Sequence, residues 1–274
     1  SDCFCFHMCW CSMIVLIFVI AALLILLLAI AFSVSQGIVE TKNGFPVGNL
    51  GQDVVLDCTF QSNTGKGPAG NVLITWTKER LSGVVYQYQN NAPQLKDQNS
   101  QFQNRAQLFP DVIATGNASL LLRRVTMEDD GVYRCVVSAP GVSGTVRIHL
   151  SVGAFSAPAI TTANKSLRAE APRWLPRPSV TWLDPDGERL AGVTQFNNSS
   201  DGTVQVVSSL QHPVAPNETY TCIIQNHLVQ AVSEATVTGE GVSAHTSFLF
   251  SSSPRTLPVP PHCAATILLC MLVW

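Results

Sequence analysis

The sequence predicts an all-β protein made of two tandem immunoglobulin-like sandwiches, variable-type then constant-type, with apolar segments at both termini. Three observations carry this. The run Asp129-Asp130-Gly131-Val132-Tyr133-Arg134-Cys135 has the D-x-G-x-Y-x-C spacing that turns such a domain into its F strand, with a tyrosine two residues before a cysteine. Cys58 and Trp76 precede it where a B-strand cysteine and a C-strand tryptophan belong. Trp182 and Tyr220-Thr221-Cys222 then repeat part of the same frame.

The bulk properties agree. A chain of 274 residues holds two medium domains. Lys and Arg number 16 against 18 Asp and Glu, a net charge of −2, so nothing points to a nucleic-acid or polyanion partner. The 9 cysteines are unevenly placed. Cys3, Cys5, Cys9 and Cys11 crowd the beginning, Cys263 and Cys270 the end, and only Cys58, Cys135 and Cys222 fall in the stretch that reads as folded. That spacing suits no zinc site and has no accompanying histidine pair, so neither metal nor cofactor is expected.

In chain order, residues 1–35 come first as a signal peptide or a retained signal-anchor. Met13 to Phe32 is an uncharged apolar run of about 20 residues, enough to cross a bilayer. Ser33-Val34-Ser35 then offers the small residues that a signal peptidase accepts. The length of the run and the lack of basic residues before it make a retained signal-anchor the rival reading. Both readings send the rest of the chain into the secretory pathway, where disulfides persist.

Residues 36–152 form the variable-type domain. Short runs of Val, Leu and Ile alternate with Gly, Asn and Pro breaks. The B strand is Val54 to Cys58, the C strand Val72 to Thr77, the E strand Ser119 to Leu122 and the G strand Val146 to Leu150. Val84 to Tyr88 follows too soon to be anything but an added C′ strand. Cys58 is the good partner for Cys135, with Trp76 packed on the bridge and Tyr133 tying the corner. Arg105 opens the D strand and is expected to pair with Asp129, because a planar guanidinium suits a carboxylate. The alternative leaves both as solvated charges.

Residues 153–239 form the constant-type domain, entered through an elbow that Pro158 stiffens. Trp182, Tyr220 and Cys222 are its core residues. The interval from Trp182 to Cys222 has no room for added strands. A cysteine belongs about 13 residues before Trp182 in this architecture, and Ala169 stands there. Cys222 then has three fates: burial without a partner, pairing between chains, or a partner lost through a sequence error or variant at Ala169. The first is favoured, because Cys222 should point inward beside Trp182.

Residues 240–262 read as a Ser- and Pro-rich stalk without a core. Residues 263–274 are apolar but too short to span a bilayer. They fit a lipid-anchor signal with Ser251, Ser252 or Ser253 as the attachment residue, or a truncated membrane segment. N-x-S/T sequons stand at Asn117, Asn164, Asn197, Asn198 and Asn217, and the overlap of Asn197 with Asn198 leaves room for one glycan there.

No pattern of catalysis is present. The six histidines are scattered, and no nucleophile elbow, phosphate loop or metal cluster occurs. An enzyme and a small-molecule substrate are therefore not expected. What remains is a sheet face. Alternation sends Trp76, Tyr133 and Cys135 inward and Thr75, Thr77, Arg134 and Val136 outward. The loop from Ser138 to Gly144, with Pro140 and Val142, edges that face. Small polar residues around one arginine and one valine suit a modest protein interface. Tyr86 and Tyr88 share a side that the sequence does not specify.

Gly116-Asn117-Ala118-Ser119-Leu120, Asp129 to Cys135, Gly153-Ala154-Phe155-Ser156 and Glu170-Ala171-Pro172-Arg173-Trp174 resemble the T-cell co-regulatory ligand family, which also contains the butyrophilins. The likeness runs from about Gly48 to Thr238. It implies a membrane-attached ligand on the external side of the plasma membrane, binding a receptor protein on T cells. It also implies reduced T-cell activation, proliferation and cytokine production. Ala169 departs from the family's cysteine. An immunoglobulin-type adhesion molecule, homophilic or heterophilic, is the alternative. An antigen-receptor chain is disfavoured, because Gly144 to Leu150 lacks the F-G-x-G bulge.

Overall fold

The computed structural model describes residues 15–29, 37–62, 71–163, 165–239 and 241–251. Residues 15–29 form helix α1, and no helix among the described residues is long and apolar enough to cross a membrane. The rest of the apolar N-terminal run, Asn164, Ser252, Ser253 and the segment 263–274 lie outside the described residues.

The first sandwich contains β1 (Ile38–Glu40), β2 (Val47–Asn49), β3 (Val54–Leu56), β4 (Thr59–Gln61), β5 (Leu73–Lys78), β6 (Tyr86–Gln89), β7 (Ala92–Pro93), β8 (Ala106–Gln107), β9 (Leu120–Leu122), β10 (Gly131–Ala139) and β11 (Val142–Gly153). The larger sheet has the order β2-β11-β10-β5-β6-β7, and the smaller ones β3-β9-β8 and β1-β4. The strands β6 and β7 beyond β5 are the extra edge that makes the domain variable-type. One short helix, α2 (Pro110–Ile113), starts on a proline, whose fixed φ suits a first helical turn. After it Gly116 has φ +93°, and a Cβ there would collide with the Phe60 carbonyl oxygen. Only glycine lets the chain turn back so close to β4.

Alternation builds the core. Ile74 and Trp76 of β5 and Tyr133, Cys135 and Val137 of β10 are fully buried. Cys58 and Cys135 are joined, closing 77 residues of chain. On the chain-entropy account such a loop is worth about 4–5 kcal/mol. The Trp76 indole N–H donates to the Ala118 carbonyl at 2.9 Å, and the Tyr133 hydroxyl donates to the Asp129 carbonyl at 2.8 Å. That second bond is the tyrosine corner read from the sequence. Tyr86 and Tyr88 both face inward, 6% and 7% exposed, and burial raises the pKa of the Tyr86 phenol.

The second sandwich contains β12 (Ala159–Ala163), β13 (Ser166–Trp174), β14 (Ser179–Leu183), β15 (Arg189–Leu190), β16 (Gly192–Asn198), β17 (Val204–Leu210), β18 (Thr219–Gln225), β19 (Val229–Thr238) and β20 (Gly241–Phe250). Its sheets have the orders β12-β13-β17-β16 and β15-β14-β18-β19-β20. Trp182, Ala169 and Cys222 lie in one buried cluster with Leu167, Trp174 and Ile224. The Trp182 indole N–H donates to the Ser208 hydroxyl at 2.9 Å, and the Tyr220 hydroxyl accepts the Ala215 N–H at 3.1 Å. Cys222 is a free, buried thiol, and loss of hydration pushes its pKa up to about 12.

The strand β20 corrects the composition-based stalk at its start. Residues 241–250 pair with β19 along its whole length, from Thr238↔Gly241 to Val229↔Phe250. Val242, Thr246 and Phe248 are half-buried, whereas Ser243, His245, Ser247 and Leu249 are exposed. The serines and prolines that gave the segment its coreless character begin only at Ser251 and Pro254. Averaging over 240–262 hid a period-two strand. A strand is thus added to the second domain, after its G strand rather than between C and F.

Candidate functional site

The candidate site is the outer face of the sheet formed by β11, β10, β5 and β6. Each residue on it is placed by the period of two that buries its neighbours. Thr75 and Thr77 leave β5 between and beyond the buried Ile74 and Trp76, and both are half-buried. Arg134 and Val136 leave β10 between Tyr133, Cys135 and Val137, and both are exposed. Thr75 lies directly opposite Gln87 of β6, which brings that amide onto the same face.

An ion pair crosses the face. The Arg134 guanidinium donates from Nε and Nη2 to Glu79 Oε1 at 3.1 and 2.9 Å. With the Arg134 side chain 48% exposed, solvent screens the pair, and it adds little stability. Alternation alone did not find Glu79, because it sits one residue past the end of β5. The inward-facing Tyr86 and Tyr88 were the available signal for Gln87.

The edge of the face differs from expectation. The loop from Ser138 to Gly144 shrinks to a tight turn, with β10 ending at Ala139 and β11 starting at Val142. Pro140 is exposed in this turn, and Gly141 takes φ +78°. Val142 is 3% exposed and bridges to Gly37. It is covered by the start of the domain and cannot be a contact residue on the face. Among the described residues no group of three or more His, Cys, Asp or Glu could hold a metal ion.

The remaining predicted positions are dispersed. Asp129 is fully buried, and its Oδ2 accepts the Thr126 N–H and hydroxyl at 2.8 and 3.3 Å. Arg105 is half-buried, and its Nε donates to the Gln101 carbonyl at 3.1 Å. Asn117 is half-buried, with its Oδ1 accepting the Ser119 N–H, while Ser119 Oγ accepts the Cys58 N–H. Asn197, Asn198 and Asn217 are exposed. The Ser251 N–H donates to the Leu228 carbonyl at 2.9 Å.

Comparison with known proteins supplies the family. Residues 43–152 match the immunoglobulin V-set domain, and residues 157–234 match the butyrophilin subfamily 3 member A2-like Ig-C domain. The chain is 30% identical over 256 residues to human V-set domain-containing T-cell activation inhibitor 1, covering 90% of this chain and 89% of that protein. It is 32% identical over 237 residues to the protein of that name from Rattus norvegicus, covering 83% of each. Human butyrophilin subfamily 1 member A1 is 27% identical over 76% of this chain and 39% of its own length. Among solved structures, the IgV-like domain of human B7-H4 is 29% identical, with TM-score 0.39, over 42% of this chain and 96% of that one. The relatives are non-enzymatic immune proteins with immunoglobulin domains. The chain belongs to the immunoglobulin-domain family of T-cell co-regulatory ligands that includes the V-set domain-containing T-cell activation inhibitors and the butyrophilins.

Proposed function

We propose that the protein is a co-inhibitory ligand, held on the external side of the plasma membrane. The outer face of its first sandwich binds a receptor protein on T cells, and binding dampens activation, proliferation and cytokine production. The observation that carries the reading is the likeness to T-cell activation inhibitors across both domains. The face itself supports it physically. Thr75, Thr77, Gln87 and Val136 share the face with one ion pair, so a partner can cover it without burying an unpaired charge. Attachment to the membrane uses the apolar N-terminal run or a lipid at Ser251, Ser252 or Ser253.

Combined Thr75→Glu and Arg134→Glu places three carboxylates together with Glu79 on the face. At equal surface density these variants should lose T-cell suppression, with receptor affinity reduced on the order of 100-fold, since like charges at an interface cost several kcal/mol. Undiminished suppression by folded variants removes this face from the account. Aggregation of beads coated with the protein alone would favour homophilic adhesion instead.

A further inference from the structure

The second sandwich has an open groove of about 610 Å³, lined by residues that include Arg177, Thr194, Phe196, Gln225, Asn226 and His227. Its lining combines one aromatic ring with several polar side chains. The Arg177 guanidinium lies over the Phe196 ring, its carbon 3.9 Å from the ring centroid. A guanidinium stacked on a ring, with amides beside it, is chemistry that suits a sugar: C–H groups pack on the stacked guanidinium and the ring edge, and the N–H and amide groups bond the hydroxyls.

The sequence places a sugar acceptor on the same strand. Phe196-Asn197-Asn198-Ser199-Ser200 contains two overlapping sequons, and the fold separates them. On β16, Phe196 lies opposite Val206 and Asn198 opposite Val204, and both valines are buried. Phe196 and Asn198 therefore share the groove side of the strand, two residues apart. Asn197 lies opposite Gln205 on the other side, and its amide donates to Gln205 Oε1 at 3.2 Å. Asn198 ends β16 at an exposed hairpin in which the Ser199 N–H donates to Thr203 and the Gly202 N–H to Ser199. Asn198 is thus the acceptor on the Phe196 side of β16, and Asn197 the acceptor on the opposite side.

We propose that Asn198 carries the N-linked glycan of this pair, and that its first sugars lie in the groove against Phe196 and Arg177. In the attachment step Asn198 Nδ2 bonds to the anomeric carbon of a lipid-linked oligosaccharide diphosphate. The C–O bond to the diphosphate breaks, the diphosphate leaves with its electron pair, and the amide loses one proton. The proposal rests on passage through the secretory pathway and not on the receptor reading, so either can fail alone. A glycan seated there covers the gap between β14 and β16.

The test uses the full chain made in mammalian secretory cells and kept native in mild detergent. Release by a peptide:N-glycosidase in ¹⁸O water, read by peptide mass spectrometry, marks each occupied asparagine. Asn198 should be marked and Asn197 unmarked. N198Q should lose the glycan and N197Q should keep it. Native release at Asn198 should be slower than at Asn217 by on the order of tenfold, the factor an aromatic contact of this kind supports. In F196A and in the exposed-site variant R177A the gap should narrow, and in denatured protein it should vanish. A marked Asn197, an unoccupied Asn198, or native release at Asn198 as fast as at Asn217 overturns the proposal.

Discussion

A single buried carboxylate illustrates how much rests on individual residues. Asp129 is fully buried, and its carboxylate accepts two bonds from Thr126 while its carbonyl accepts the Tyr133 hydroxyl. A buried charge of this kind needs a cation or several donors. We propose Arg105 as that cation. Asp129→Asn should cost about 2–4 kcal/mol, and a double-mutant cycle with Arg105→Gln should give a coupling above about 1 kcal/mol by chemical denaturation. A coupling near zero returns both residues to independent roles. The corner tyrosine was legible from one local motif, and the disulfide from the spacing of Cys58, Trp76 and Cys135. The burial of Val142 was not. Its cover is Gly37, about a hundred positions earlier in the chain, and no local pattern reports such a neighbour.

Strands tell the same story at larger scale. β5 and β10 were readable because strict alternation over six and nine residues admits one inward set. β20 was hidden, because its edge position leaves only one half-buried side and its neighbours are serine and proline. Phe248 nonetheless packs on the core of the second sandwich, with its ring 5.6 Å from Phe155. Phe248→Ala should destabilise that sandwich by about 1–2 kcal/mol, as expected for a half-buried ring. Leu249→Ala, at a side chain 58% exposed, should leave stability unchanged. Denaturation of the two variants checks this, and equal effects would return the segment to a stalk. Amide exchange along β19 should speed up in the first variant alone.

At the scale of the molecule the two sandwiches are stabilised differently. The first is clamped by Cys58–Cys135, while the second holds Cys222 as a free thiol beside Ala169 in its core. Reduction should therefore lower the stability of the first by about 2–5 kcal/mol and leave the second unchanged. A thiol reagent should reach Cys222 only after unfolding. Its folded pKa of about 12 lies above the ordinary thiol value of 9.0, so the unfolded chain releases this proton first as pH rises. Stability of the second sandwich should fall between pH 9.0 and about 12, with no contribution from this thiol to any change below that window. Rapid native labelling at pH 8, or a second sandwich that melts earlier in reductant, would contradict this.

The sequence by itself determined the class of fold, the Cys58–Cys135 disulfide, the tyrosine corner and the inward and outward sets of the long strands. Each of these is encoded within a few residues or by a fixed spacing. Only the tertiary structure decided that Val142 is covered, that Glu79 pairs with Arg134, that residues 241–250 complete a sheet and that Asn198 rather than Asn197 shares a side of its strand with Phe196. Those outcomes depend on which distant backbone supplies a strand partner or a counter-charge, and that choice is made by packing across the whole domain.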